Sequence, residues 1–257
     1  MTDITRERPY FRDEGRGDPV VLLHAFPLDG TMWDAERADL AKSRRVIVPD
    51  LRGFGRSGTL TPPRSLDAHA DDVAHLLEDL GIARATVVGL SMGGYIAFAL
   101  ARRHPHRLAR LILADTRSAP DSAEGRQSRD ENIALVTREG VAPMVERLLP
   151  KLLSANATPE LFAHVRALGG RQTAAGVTSA LAAMRDRPDA TPLLGQLAIP
   201  TLVIVGDADT ISPLAEARTM AAALPAGELA VIAGAGHLSN LESPASFGAA
   251  MRTFLDR

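Results

Sequence analysis

The sequence predicts an α/β protein with a mostly parallel central sheet, flanked by helices and interrupted by a small helical insertion. Two observations support this class. Short apolar runs typical of buried strands alternate with longer segments whose apolar residues recur at helical spacing. The alternation stops after residue 115 and resumes at residue 200, and the intervening stretch carries helical patterns but no convincing strand.

Six near-continuous apolar runs are typical of strands buried on both faces of a parallel sheet. They occupy residues 20–24, 46–48, 86–88, 108–114, 201–205 and 229–232. Between and after them, helices are predicted near 32–41, at 65–80, 95–104 and 213–224, and from Ser243 to the end. Pro105 stops one of these helices, and Pro244 suits the first turn of another.

The predicted elements divide the chain into two units. Residues 1–117 and 196–257 form the core domain, and residues 118–195 form a helical cap. Four amphipathic helices are expected in the cap, near residues 128–138, 141–148, 159–168 and 177–184. The cap lacks the aromatic density expected for enclosing large hydrophobic acyl chains.

Composition excludes several function classes. The chain has 257 residues, 46% of them hydrophobic and 23% charged, which is ordinary for a globular protein. A net charge of −2 gives no sign of the excess positive charge that is typical of nucleic-acid-binding proteins. The absence of cysteine excludes disulfides and thiol catalysis. The polar N-terminus predicts no signal peptide and no apolar run could cross a membrane, so a cytoplasmic protein is expected.

The most informative motif is Gly89-x-Ser91-x-Gly93, between a predicted strand and a predicted helix. This pattern is typical of a nucleophile elbow, a turn so tight that the serine backbone is strained and its hydroxyl is raised above the sheet edge. A Cβ atom at either glycine is expected to collide across the turn. The motif in this context predicts Ser91 as a nucleophile.

A serine nucleophile needs a base, and the base needs an acid that orients it. In chains with this elbow the order is serine, acid, histidine. His237 follows the last predicted strand and is the candidate base. Asp209 is the favoured acid, Asp207 is an alternative that could instead brace the loop, and Asp115 is an outside candidate after an earlier strand.

An oxyanion formed at this site needs two preorganised donors. The candidates are the backbone N–H of Met92, which follows the nucleophile, and that of Phe26, in the loop after the first predicted strand. Trp33 and Phe26 are candidates for lining the acyl pocket, although core packing is an equal alternative for Trp33. Leu90 is a further pocket candidate.

The other histidines have structural rather than catalytic interpretations. His24 is expected to support the loop that follows it, and the histidines on predicted helices are expected to be solvated or locally bonded: His69, His75, His104, His106 and His164. The loop over residues 50–57 could bind an anion, but glycine-dependent turns braced by Asp50 and Arg52 are the favoured interpretation.

Five landmarks occur together and in order: His24-x-Phe26-Pro27, Asp50-x-Arg52-Gly53-x-Gly55-x-Ser57, Gly89-x-Ser91-Met92-Gly93-Gly94, Gly206-x-x-Asp209 and Gly236-His237. Through them the chain resembles small capped α/β-hydrolases. Within that family, the segments around Ser91 and Asp115 are similar to 3-oxoadipate enol-lactonases, cofactor-free carboxylesterases and perhydrolases. One departure is Ala25, where many members have glycine, but a backbone donor at Phe26 survives this change.

The resemblance implies an α/β-hydrolase fold and a serine hydrolase that cleaves a small-molecule carboxylic ester or lactone without cofactor or metal. Enol-lactonase, perhydrolase and carbon–carbon bond hydrolase activities would use the same residues. A small-ligand receptor without turnover is the alternative from a different class. No nucleic acid or membrane partner is expected, and a homo-oligomer is compatible with the sequence.

Overall fold

The computed structural model describes residues 8–257 and is built around one seven-stranded sheet. Its strands are β1 (Phe11–Glu14), β2 (Pro19–Leu23), β3 (Arg45–Pro49), β4 (Ala85–Leu90), β5 (Leu108–Ala114), β6 (Thr201–Gly206) and β7 (Gly227–Ile232). Their order across the sheet is β1-β3-β2-β4-β5-β6-β7. All neighbours are parallel except β1, which pairs antiparallel with β3.

The six strands predicted from apolar runs are all present. Strands β4 and β6 are buried along their whole length, as expected for strands covered on both faces. The antiparallel strand β1 was not predicted. Its sequence Phe-Arg-Asp-Glu lies at the sheet edge and is only half-buried, so it lacks the apolar run on which the prediction depends.

Helices flank the sheet in the core. They are α1 (Asp34–Leu40), α2 (Leu66–Asp79), α3 (Met92–Arg103), α9 (Leu214–Ala223), α10 (Ser239–Glu242) and α11 (Pro244–Leu255). The Ser65 side chain caps α2 by accepting a hydrogen bond from the N–H of Ala68. Helix α10 was not predicted, because four residues are too few to show a helical period.

The four predicted cap helices are also present between β5 and β6. They are α4 (Ala123–Glu139), α5 (Val141–Leu152), α6 (Pro159–Gly170) and α7 (Ala174–Arg185), followed by a short helix α8 (Thr191–Leu194). The division into a core and a cap bounded at residues 118 and 195 remains a prediction. Arg187, at the exit of this insertion, donates to the buried Asp121 carboxylate at its entrance over 2.6 Å. This ion pair joins the two ends of the cap.

Two sequence-based expectations concern the membrane and the N-terminus. Over residues 8–257, none of the helices combines the length and the apolar character needed to span a bilayer. The predicted absence of a signal peptide rests on the first eight residues, of which 1–7 lie outside the described part of the chain.

Helix α3 approaches the sheet too closely for side chains at two of its glycines. A Cβ on Gly93 would lie 2.2 Å from the carbonyl oxygen of Leu23 in β2. A Cβ on Gly94 would lie 2.5 Å from the Oγ1 atom of Thr116. The helix that follows Ser91 is therefore set directly against the neighbouring strand.

We expect Gly93→Ala to lower the free energy of unfolding by about 2 kcal/mol or more, because either the strand or the helix must move. Gly170→Ala is the matched control, since a Cβ at this exposed helical glycine meets nothing within 4 Å. Urea denaturation of both variants tests the prediction. Equal stability of the two variants would contradict it.

A small buried polar cluster lies between α1 and α10. Glu36 is 3% exposed, and neither of its carboxyl oxygens has a hydrogen-bond partner among residues 8–257. The indole N–H of Trp33 and the side-chain oxygen of Asn240 are likewise buried without partners there. Burial raises the pKa of Glu36 to about 7.

A folded-state pKa above the unfolded value makes the wild type lose stability as the pH rises from about 4.5 to about 7. Glu36→Gln cannot ionise. We therefore expect its stability relative to wild type to increase by roughly 1 to 3 kcal/mol between pH 4 and pH 8. Urea denaturation at both pH values measures this, with the exposed Glu139→Gln as control. A difference that does not change with pH would refute the prediction.

Candidate active site

Ser91 occupies the predicted strained turn between β4 and α3. Its φ of 54° and ψ of −113° are unusual for a residue with a side chain. A Cβ on Gly89 would lie 2.3 Å from the carbonyl oxygen of Gly93, so the two glycines cross closely, as the sequence predicts. The hydroxyl of Thr116 donates to the Ser91 carbonyl oxygen over 2.9 Å and helps to fix this geometry.

The structure brings Ser91, His237 and Asp209 together although they lie far apart in sequence. The Oγ atom of Ser91 is 2.7 Å from Nε2 of His237, and Nδ1 of His237 is 2.8 Å from Oδ2 of Asp209. Ser91 is 8% exposed, His237 2% and Asp209 4%. In the neutral imidazole tautomer that fits both contacts, Nδ1–H donates to Asp209 and the serine hydroxyl donates to Nε2.

The surroundings of Asp209 favour its ionised form. Burial opposes ionisation, but the facing His237 and two backbone donors outweigh burial and hold the pKa of Asp209 below its ordinary value. The donors are the N–H groups of Ile211 and Ser212, which lie 2.7 and 3.0 Å from Oδ1. A charged carboxylate is thus available to orient the imidazole.

The two alternative acids have other partners. Asp207 accepts a hydrogen bond from the N–H of Gly234 over 2.7 Å, which is the loop-bracing role considered for it. Asp115 is fully buried and contacts the N–H of Gly206 at 2.9 Å and the hydroxyl of Ser239 at 2.5 Å. Burial, together with the nearby Asp209 charge, raises the pKa of Asp115 to about 7.

The two predicted oxyanion donors lie beyond the carboxyl ends of two neighbouring parallel strands, Met92 after β4 and Phe26 after β2. Met92 is the first residue of α3, so its N–H is one of the helix-terminal donors that have no acceptor within the helix. Phe26 lies in the loop after β2, and its N–H has no acceptor among residues 8–257. Both groups are thus available to a ligand at the carboxyl end of the sheet.

The loops beneath this edge are braced by side chains. His24 accepts from the N–H of Leu51 over 3.1 Å through Nε2, and its Nδ1 lies 3.0 Å from the Ala25 carbonyl oxygen. Burial lowers the pKa of His24, which matches a neutral ring with these two roles. The Asp50 carboxylate accepts from the N–H groups of Gly30 and Arg56, both at 2.8 Å. These contacts agree with the structural interpretation of both motifs.

Three sequence-based assignments look different in the structure. Trp33 has no exposed surface and packs 5.9 Å from the Phe247 ring, and Leu90 is also fully buried, so neither offers a wall to an open pocket in this conformation. The expectation that His69 is either solvated or locally bonded fails in its first part, because the side chain is buried. It is 1% exposed, its Nδ1 lacks a partner in the described structure, and burial lowers its pKa to about 3.

One functional contact escaped the sequence analysis, because it joins the cap to the core. Arg171, at the end of α6, binds both carboxylate oxygens of Asp29, three residues beyond Phe26. Gln172 donates to the same carboxylate over 2.9 Å and accepts from the N–H of Gly55 over 2.8 Å. Burial opposes ionisation of Asp29, but the hydrogen bonds from Thr31, Arg171 and Gln172 prevail and lower its pKa to about 2.

Across the described residues, no three side chains of His, Cys, Asp or Glu are grouped as a metal ion would require. The absence of a metal or cofactor from the reaction therefore remains a prediction made from the sequence.

Comparison with known proteins places this geometry in a family. Residues 18–244 match the family model described as alpha/beta hydrolase fold. The chain is 31% identical to 3-oxoadipate enol-lactonase 2 of Acinetobacter baylyi, over 95% of this chain and 91% of that protein. It is 32% identical to 2-hydroxymuconate semialdehyde hydrolase of Pseudomonas sp. strain CF600, over 96% of this chain and 90% of that protein.

Among solved structures, a thermophilic esterase from Thermogutta terrifontis, determined with malate bound, is 44% identical with a TM-score of 0.93 and coverage of 96% of this chain and 92% of that one. These relatives are named as an enol-lactonase, a semialdehyde hydrolase and an esterase, so they support the general class of hydrolase and leave the substrate open. The family match, the sheet order and the elbow agree, and the chain belongs to the alpha/beta hydrolase family.

Proposed function

We propose that this protein is a serine hydrolase that cleaves a small carboxylic ester or lactone through an acyl-enzyme intermediate. The observation that carries the proposal is the continuous hydrogen-bonded chain from Ser91 Oγ through His237 to Asp209, with contacts of 2.7 and 2.8 Å. Contacts of this length allow the imidazole to take the serine proton as the oxygen attacks a carbonyl carbon.

In the first step, Ser91 Oγ bonds to the carbonyl carbon while its proton moves to Nε2 of His237. The resulting oxyanion accepts hydrogen bonds from the N–H groups of Phe26 and Met92. Asp209 holds the imidazole in orientation and stabilises the imidazolium. The bond to the leaving alkoxide then breaks, and the imidazolium gives that oxygen its proton.

In the second step, water attacks the acyl-enzyme and its proton moves to Nε2 of His237. The same two N–H groups stabilise the second oxyanion. Collapse breaks the bond to Ser91 Oγ, which recovers its proton from the imidazolium, and the carboxylic acid is released. For a lactone, the alcohol and acid products remain one molecule, because the cleaved bond closes a ring.

Two observations support a small ester or lactone as substrate. The relatives include an enol-lactonase and an esterase. The cap, over residues 118–195, has Phe162 as its single aromatic residue, so it offers little aromatic surface to a large acyl group. The relationship to a semialdehyde hydrolase supports carbon–carbon bond cleavage as the second candidate. Assays of the purified protein on a panel of short and long esters, enol-lactones and ring-fission products distinguish ester or lactone hydrolysis from carbon–carbon bond cleavage.

Ser91→Ala removes the proposed nucleophile while the buried surroundings of the elbow remain. We expect turnover of a p-nitrophenyl ester to fall at least about 1,000-fold, because no acyl-enzyme can form. A fluorophosphonate probe should label wild type at Ser91 and leave the variant unlabelled. Turnover within a few-fold of wild type would contradict the proposal, and unlabelled but folded wild type would favour a ligand receptor.

The assignment of the acid is tested by three aspartate-to-asparagine variants. Asp209→Asn is expected to lower kcat by about 1,000- to 10,000-fold, because the amide favours the wrong imidazole tautomer. Asp207→Asn keeps an acceptor for Gly234 and serves as the matched control, and Asp115→Asn mimics the neutral acid. We expect kcat of Asp207→Asn and of Asp115→Asn to stay within about tenfold of the wild-type value. A larger loss in Asp115→Asn than in Asp209→Asn would reassign the acid.

A further inference from the structure

The turn that carries His237 is enclosed on the side of the acid loop. The N–H of Ala208 donates to the carbonyl oxygen of Ala235 over 2.9 Å. A Cβ on Gly206 would lie 2.3 Å from the carbonyl oxygens of both Ala235 and Gly236. The backbone of the histidine turn therefore rests directly on the loop that supplies Asp209, with no room to shift toward it.

The cap closes the other side of the same turn. Helix α5 ends at Leu152, and its carbonyl oxygen accepts from the N–H of Leu238 over 3.0 Å. A Cβ on Gly236 would lie 2.6 Å from the backbone nitrogen of Ser154 and 2.9 Å from the carbonyl carbon of Leu153. The residues on both sides of His237 are thus in backbone contact with the end of α5.

One carboxylate joins these two backbones. Oε1 of Glu242, in α10, accepts from the N–H of Gly236 over 2.8 Å. The N–H of Ser154 reaches both carboxylate oxygens of Glu242, each at 3.1 Å. Because the Glu242 carboxylate binds the residue that directly precedes His237, Glu242 acts on the site through the histidine turn.

We infer that Glu242 is a positioning residue, which couples the seating of the cap on the core to the orientation of His237. The inference rests on the proposed function, since the orientation of His237 affects a rate only if Ser91 is the nucleophile. Without the carboxylate, the N–H groups of Gly236 and Ser154 lose their acceptor. The turn can then move, and a small misplacement of the base is costly to catalysis. A cap that lifts from the core releases the base in the same movement.

The first test measures the hydrogen bonds themselves, without any substrate. Amide hydrogen exchange is compared in wild type, Glu242→Ala, Glu242→Gln and Glu228→Ala. Glu228 is the control, because it is a half-exposed glutamate on β7 that pairs with Arg257. We expect the protection factors of the Gly236 and Ser154 amides to fall at least tenfold in Glu242→Ala and to remain unchanged in the control. Unchanged protection in Glu242→Ala would overturn the inference.

The second test measures catalysis and fluorophosphonate labelling of Ser91 in the same four proteins. In Glu242→Ala we expect both kcat for a p-nitrophenyl ester and the labelling rate to fall at least tenfold, with KM within threefold of wild type. Glu242→Gln keeps an acceptor oxygen and should retain kcat within threefold. A rise in KM alone would mean that Glu242 seats only the cap, and would overturn the coupling to His237.

The two failures are distinguishable. If wild type is neither labelled nor active on any ester or lactone, the proposed function fails. If wild type is labelled and active while Glu242→Ala matches it, the inference fails and the proposed function stands. A folded Glu242→Gln variant that loses as much activity as Glu242→Ala would mean that charge, rather than hydrogen bonding, acts on His237. That result would overturn the positioning role stated here.

Discussion

The hydrogen bond between Ser91 Oγ and His237 Nε2 is the contact on which the proposed function depends. Its partners are 146 residues apart, and each lies on a loop at the carboxyl end of a parallel strand. Parallel strands bring these ends to one edge, where a strained elbow presents the serine hydroxyl. The closeness of α3 to β2 at Gly93 and the bond from Thr116 hold the elbow in that state.

Two buried carboxyl groups near this contact are held in different charge states. Asp209 faces His237 and two backbone N–H donors, and its pKa is lowered. Burial, and after it the nearby Asp209 charge, raises the pKa of Asp115 to about 7, although His237 and two hydrogen-bond donors act in the opposite direction. The difference between the two pKa values follows from electrostatics, since two negative charges in one buried site repel each other strongly. The carboxyl group that faces the imidazole is therefore the one whose charged form is favoured.

The cap is closed by an ion pair between its own two ends, and other contacts fix it to loops of the core. The pair of Asp121 and Arg187 joins the two ends of the insertion, and Arg171 binds Asp29 next to the oxyanion loop. Glu242 holds the end of α5 against the histidine turn. Both the loop after β2 and the turn that carries His237 are thus in contact with the cap.

Six of the seven strands, the four cap helices and the elbow could be predicted from the sequence alone, because apolar periodicity and glycine spacing are local properties. The sequence also determined Ser91 and His237 as candidates and narrowed the acid to Asp209, Asp207 or Asp115. It missed β1, whose polar edge strand carries no such pattern. Only the tertiary structure showed the different partners of the three aspartates, placed Trp33 in the core, buried His69 and joined Glu242 to the cap, because each of these depends on which distant backbone lies within hydrogen-bonding or packing distance.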